Sequence, residues 1–227
     1  MRNIPFIDIH THTSGEEWDT VTVRNIFPGE PIPAFRGKDF FSVGLHPWHI
    51  KSPKENNELL QIMEEALEFD HVIFAGEAGL DKYVKNDYDE QLRVFEAQAF
   101  IAEEYQKPLI IHCVKAYYDL IGIHNKIRPS MPWIIHGYGG NPEISEQLLK
   151  KNVFFSFGEN LFRERSGVTE SFCLIPCERI YFETDESETD IREIYEKGAC
   201  LKNLSLNELK RLIWENFNRI ENVSFNI

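Results

Sequence analysis

Short runs of apolar, β-branched and aromatic residues recur along the chain, separated by segments with helical spacing of apolar positions. The runs are Ile4–His10, Phe40–His46, Val72–Glu77, Leu109–His112, Trp133–His136, Val153–Phe157 and Ile180–Asp185, with a weaker one at Val21–Phe27. Runs of this length and residue type read as strands. Helical periodicity predicts helices over residues 55–69, 88–106, 116–127, 142–151, 189–200 and 205–220. Asn141-Pro142 opens one of them with a cap and a first-turn proline, and Ser205 with Glu208 forms a capping box for another. Alternating strand and helix predicts a parallel sheet with helical crossovers. Strands apolar throughout are buried on both faces.

The polar residues sit at one end of these runs. His10, His46, Glu77, His112, His136 and Asp185 each close a strand-like run. Core packing gives no reason for that, whereas β/α barrels carry their chemistry at the C-terminal ends of strands. The expected fold is therefore a TIM-like β/α barrel formed by residues 1–227 as a single domain. Its first crossovers are anomalous. Only residues 11–20 separate His10 from Val21, and residues 28–38 hold Pro28, Gly29, Pro31, Pro33 and Gly37. Neither segment suits a helix, and a parallel crossover usually needs a dozen or more residues. The expectation is an incomplete or distorted barrel with helices missing between 11 and 38. Val21–Phe27 would be displaced, antiparallel or not a strand. The thinly covered flank would offer a surface for a second subunit, hence a homo-oligomer.

The 227 residues carry a formal net charge of −13. Such a surface disfavours duplex DNA, whose non-specific binding depends on neutralising phosphates. No apolar run approaches a membrane span and the N-terminus lacks a signal-peptide core, so a cytoplasmic protein is expected. Cys113, Cys173, Cys177 and Cys200 show no zinc-module or disulfide spacing and read as reduced thiols.

His10-Thr11-His12 places two imidazoles on one face of a strand, where both can reach one ion, although a lone His-x-His is more often incidental. Asp8 can hold a ligand ring from behind or be a solvated carboxylate. Glu77 lies in Gly76-Glu77-Ala78-Gly79-Leu80-Asp81, where small neighbours would let ions approach; a carboxylate there can bridge two cations or be a surface turn residue. His112 and His136 each follow a near-identical apolar run, and either alone could be a satisfied buried histidine. Asp185 can ligate, take a proton or cap the next segment. The combined nitrogen and oxygen donors suit two divalent ions, drawn from zinc, manganese, nickel, cobalt or iron. Magnesium stays admissible but disfavoured.

These residues resemble the TatD family of metal-dependent hydrolases. The likeness rests on Asp8-Ile9-His10-Thr11-His12, Gly44-Leu45-His46-Pro47, the Gly76–Asp81 hexapeptide, Ile111-His112, Ile135-His136-Gly137-Tyr138-Gly139-Gly140, Glu183-Thr184-Asp185 and Glu215-Asn216-Phe217-Asn218-Arg219. It implies that His10, His12, Glu77 and Asp185 hold one ion and that Glu77, His112 and His136 hold the second. It places His46 in the pocket outside the metal shell, and Gln91 and Gln98 in structural roles. Family members are described as nucleases, often exonucleolytic, and others have been linked to aminoacyl-tRNA deacylation. The implied activity is two-metal phosphoester hydrolysis by a metal-activated water. Glu77, Asp185 and His46 would form the catalytic set, with His46 and Lys115 as substrate contacts. Hydrolysis of an ester, amide or aminoacyl bond on the same site, and a non-catalytic metal-binding barrel, are the alternatives. The chain departs from the family in Cys113-Val114-Lys115, where Ser-Arg is usual after the histidine, and in Glu186, which follows Asp185 and adds negative charge. Lysine is no substitute for the bidentate fork of arginine. These departures point to a small or single-stranded phosphoester substrate.

Overall fold

The computed structural model describes residues 4–13, 19–35, 37, 39–163 and 167–221. The chain divides into two compact units, residues 25–136 and residues 1–24 with 137–227.

The central unit, 25–136, holds four parallel strands in chain order, β3 (Asp39–Val43), β4 (Val72–Asp81), β5 (Leu109–Val114) and β6 (Trp133–Ile135). Helices α1 (Pro53–Leu67), α2 (Tyr88–Glu104) and α3 (Tyr117–Ile127) make the crossovers. Ser52 and Glu55 form a full capping box at the start of α1, and Asp87 caps α2. Every residue of β4 is buried, including the carboxylates Glu77 and Asp81 that follow its apolar start Val72–Ala75.

In the other unit β1 (Phe6–Thr11) pairs in parallel with β2 (Thr20–Ile26), whose residues to Arg24 belong here. β7 (Val153–Phe157) pairs in parallel with β8 (Ile180–Phe182), and a parallel bridge joins Thr11 to Asp185. Helices α4 (Pro142–Leu149), α5 (Gly167–Leu174), α6 (Ile191–Lys202) and α7 (Leu206–Glu221) complete it. The buried Tyr195 hydroxyl ties α6 to β1, donating to Ile7 O and accepting from Ile7 N, each at 3.0 Å. This succession of parallel strands and helices is that of an α/β barrel. Among the described residues no helix is long and apolar enough to cross a membrane.

The anomalous start is resolved in part against expectation. β2 is an ordinary parallel strand, with Phe6 beside Thr20 and Ile7 beside Val21. Residues 12–19 must therefore return the chain along the length of β1, roughly 20 Å for six residues. Eight extended residues span roughly 28 Å, so no helix is needed to close a parallel crossover this short. Residues 14–18 of that return lie outside the described residues. The second segment runs as turns and extended chain, and its described residues between 28 and 38 contain no helix. Ile26, Phe27, Ile32, Val43, Ile62 and Phe69 line a cavity of about 250 Å³ there.

Two glutamines of α2 lock the chain segments that carry the chemistry. Gln98, fully buried, accepts from Leu45 N at 2.7 Å and donates to Leu45 O at 3.0 Å. One helical repeat earlier, Gln91 accepts from Asp81 N at 2.9 Å and donates to Asp81 O at 3.2 Å. Each side-chain amide thus satisfies both main-chain polar groups of one residue. Gln98→Leu, close in volume, would bury the N–H and C=O of Leu45 without partners. Each orphaned group costs about 1–3 kcal/mol. The expected loss of unfolding free energy in a urea titration is about 2–4 kcal/mol, and an unchanged midpoint would contradict the clamp.

Candidate metal centre

In the central unit three imidazoles converge on one carboxylate oxygen. Glu77 Oε1 lies 3.0 Å from His46 Nε2, 3.1 Å from His112 Nδ1 and 2.8 Å from His136 Nε2. Glu77 is 3% exposed, so its carboxylate is drawn largely to these protein partners. His46, Glu77 and His112 offer ligand atoms within 4.8 Å of one another.

The outer partners decide what each ring presents. His46 Nδ1 accepts from Trp48 N at 3.1 Å, so its proton sits on Nε2 and points at Glu77. Burial holds this imidazole below its usual pKa range, although Glu77 pulls the other way. His46 is thus a neutral donor, and its proximity alone does not make it a ligand. His112 is turned the opposite way. Its Nε2 faces Asp81 Oδ2 at 3.3 Å, leaving the Nδ1 lone pair aimed at Glu77 and 3.3 Å from His136 Nε2. Asp81 is itself fixed, by Trp48 Nε1 at 2.8 Å and Tyr83 N at 2.8 Å. Burial opposes ionisation of Asp81, but these donors and His112 together hold its carboxyl below the usual range. An ionised carboxylate behind a ring, with the ring's other nitrogen facing a second carboxylate, is the arrangement that presents histidine to a cation. The donor set fits a divalent metal of the kind that takes mixed imidazole and carboxylate ligands.

β4 shapes this cluster. The sequence suggests that the strand stops at Glu77, but it continues to Asp81 through an irregularity between Ala75 and Ala78. The Gly76–Glu77 peptide is cis, and Gly76 has φ +103°. A Cβ on Gly76 would collide with Ile110 O, and one on Gly79 with His112 O. The small residues around Glu77 therefore admit the backbone of β5, a packing role that composition did not reveal. Asn25 completes the support, its Oδ1 accepting from Glu77 N at 2.8 Å and from Ser42 Oγ at 3.1 Å. Neither Asn25 nor Asp81 stood out in the sequence as a site residue. Asp81 was legible as the end of the glycine-bounded hexapeptide; Asn25 had no local signal.

In the other unit His10 Nε2 and His12 Nε2 lie 3.7 and 3.4 Å from Asp185 Oδ1, and the two rings stand edge to face at 5.1 Å. His10 lies in β1 and His12 just beyond its end, and both rings face Asp185, as the His-x-His spacing predicts. The main chain of Asp185 holds the pair in place. Its N–H donates to His10 O at 3.0 Å and its carbonyl accepts from His12 N at 3.3 Å. Asp185 adopts φ +54°, a left-handed conformation that aspartate tolerates better than most residues. Asp8 is engaged elsewhere than the ring-supporting role open to it in the sequence. Its two oxygens accept from Thr184 N at 3.0 Å and Thr184 Oγ1 at 2.7 Å.

Beside Asp185 opens a cavity of about 850 Å³ walled by the carboxylates of Glu159, Glu183, Asp185, Glu186, Glu188 and Glu193. Without cations such a wall repels a phosphoester. Lys115 is exposed just beyond the end of β5, at φ +55°. Cys113 is buried in β5 with its thiol pushed up to about 12, which removes it as a nucleophile near neutral pH.

A protein-family model described as TatD related DNase matches residues 32–222. An uncharacterized metal-dependent hydrolase of Bacillus subtilis, YabD, is 26% identical over 250 residues, covering 94% of this chain and 97% of that protein. The 3'-5' ssDNA/RNA exonuclease TatD of Erwinia billingiae is 28% identical over 149 residues, covering 63% of this chain and 56% of that one. Among solved structures, the TatD homologue YJJV of Escherichia coli superposes with a TM-score of 0.82 at 16% identity, covering 96% of this chain and 98% of that chain. That likeness shows the same barrel fold.

Burial raises the carboxyl of Asp8 to about 7, against the pull of Thr184. The folded metal-free protein therefore keeps a proton that the unfolded chain has released. Stability from this group is full below about pH 4 and is lost as pH rises through about 7. Asp8→Asn does not titrate. In urea unfolding of metal-free protein, the wild type should lose on the order of a few kcal/mol relative to Asp8→Asn across that window. A pH-independent difference between the two would contradict the assignment.

Proposed function

Because the chain belongs to the TatD related DNase family and is a metal-dependent hydrolase, we propose that it cleaves phosphoester bonds of small or single-stranded substrates with two divalent ions. The observation that carries this reading is the convergence of oriented imidazoles on Glu77 Oε1. His10, His12 and Asp185 are assigned to one ion, and Glu77, His112 and His136 to the second. The bridging role of Glu77 rests on the family resemblance.

Ions held there would activate water and offset the charge that develops on the phosphoryl oxygens. Asp185, the more exposed of the two carboxylates, is the group that orients or accepts a proton from the attacking water. His46 keeps its Nε2 proton directed into the cluster, where it can donate to a phosphoryl oxygen in place of Glu77. Lys115 supplies a point charge to the substrate without the geometry of an arginine fork. Single-stranded DNA or RNA is the substrate class named for the Erwinia relative, which supports a single strand here. The net charge of −13 disfavours long duplexes.

Metal content and turnover separate these roles. Glu77→Gln should lower bound metal below that of the wild type by elemental analysis, because it removes a ligand charge, and full retention would end the bridging assignment. His46→Ala should keep its metal and lose roughly 100-fold or more in turnover of a phosphodiester, in the range typical of a lost donor. Loss of an ion in that variant would make His46 a ligand. A screen of phosphodiesters, phosphomonoesters and acyl esters against the metal-loaded protein tests the reaction class; turnover confined to acyl esters would replace the phosphoester reading.

Duplex affinity is a separate expectation. A gel-shift titration at physiological salt should show little binding of a long duplex. Submicromolar, salt-sensitive binding would overturn the single-strand preference.

A further inference from the structure

Trp48 is 59% exposed although it stands against the most buried chemistry of the central unit. Its ring centroid is 5.0 Å from that of His46 and 6.1 Å from that of His112, edge to face with both. The indole is not loose. Its Nε1–H is bonded at 2.8 Å to Asp81 Oδ2, a carboxylate that is 3% exposed, and its own main-chain N–H is taken by His46 Nδ1. A large apolar ring is thus held in one orientation and left in solvent beside the candidate ligands.

Two bland explanations fall short. A tryptophan kept for core packing would bury its ring, as Trp133 does at 1% exposure. One kept only to donate to Asp81 could be replaced by a smaller donor without exposing so much apolar area. What remains is the ring face itself. Electrostatics sharpens the point. The chain is strongly acidic, the arginine expected after His112 is replaced by Val114-Lys115, and Lys82 is spent on Asp119 at 2.6 Å. Charge gives a nucleic acid little reason to settle at this cluster. Stacking on an aromatic ring does, and it depends neither on phosphate neutralisation nor on base identity.

The geometry points to Trp48 as a stacking platform for a nucleobase of a single-stranded substrate, seating the nucleotide next to the Glu77 cluster. The inference rests on the phosphoester reading and adds the recognition element that the acidic surface lacks. It makes Trp48 a specificity residue rather than a catalytic one. Binding should accordingly depend on the presence of a base.

The test uses the metal-loaded full chain and two probes, a phosphorothioate oligothymidylate that resists hydrolysis and the same backbone carrying abasic sites. The thymidylate strand should quench tryptophan fluorescence and the abasic strand should not, and Trp48→Leu should lose that quenching. In turnover of ordinary phosphodiester strands, Trp48→Leu should raise KM for the base-bearing strand about tenfold or more relative to the abasic strand, the range expected for one stacked base. Trp48→Phe, which keeps a smaller ring, should retain part of the discrimination. Loss of the Asp81 bond would slow both strands alike, so the ratio between them isolates the ring. Equal effects on both strands, or no base-dependent quenching in the wild type, would overturn the platform and leave hydrolysis intact. Base-dependent quenching without turnover of any phosphodiester would sink the nuclease reading and leave the platform standing.

Discussion

One oxygen atom of the buried Glu77 has three imidazole nitrogens within 3.1 Å. A carboxylate oxygen tolerates donors but not ring lone pairs, so the protonation of each ring cannot be left to chance. The surrounding structure assigns it for two of the three. Trp48 N selects the Nε2–H form of His46, and Asp81 selects the form of His112 that turns a lone pair inward. Asn25 fixes the main chain of Glu77 itself. A cation is the natural complement to what remains, a carboxylate with lone pairs gathered about it. Much of the central unit can be understood as the means of keeping those few atoms in register.

The strands and most of the helices were legible because their signals are local. Periods of apolar residues and the caps at Ser205 and Asn141 need no knowledge of the rest of the chain. The ligand candidates were legible for a related reason, since polar residues ending apolar runs are conspicuous. What escaped was settled by tertiary approach. The extension of β4 to Asp81 depends on β5 lying against Gly76 and Gly79, which the hexapeptide cannot reveal. Asn25 serves Glu77 across 52 positions of sequence. Helix α5, with Gly167, Val168 and Thr169 in its first turn, has little intrinsic helical preference and passed unnoticed. β2 was misjudged because a rule for average crossovers was applied to a return of only eight residues.

The acid wall beside Asp185 and the deficit of arginine act on the same quantity. Both would lower the electrostatic return from bringing a phosphate close, and on the proposed reading both would raise the share of binding supplied by cations and apolar contact. The departures from the family pattern lie beside the candidate ligands and not among them, so they bear on the proposed substrate and leave the proposed ligand set intact. The identity of the substrate is written in surfaces around the centre, where sequence similarity at about 26% says least.

The two glutamines of α2 have a consequence for how the centre opens. The amides of Leu45 and Asp81 are held by a helix side chain rather than by a neighbouring strand. Their hydrogen exchange is therefore governed by undocking of α2, not by fraying of the sheet. Because Gln91 and Gln98 stand about two turns apart on one face, a single motion of that helix releases both segments together. The backbone ahead of His46 and the backbone at Asp81 therefore depend on the docking of one and the same helix.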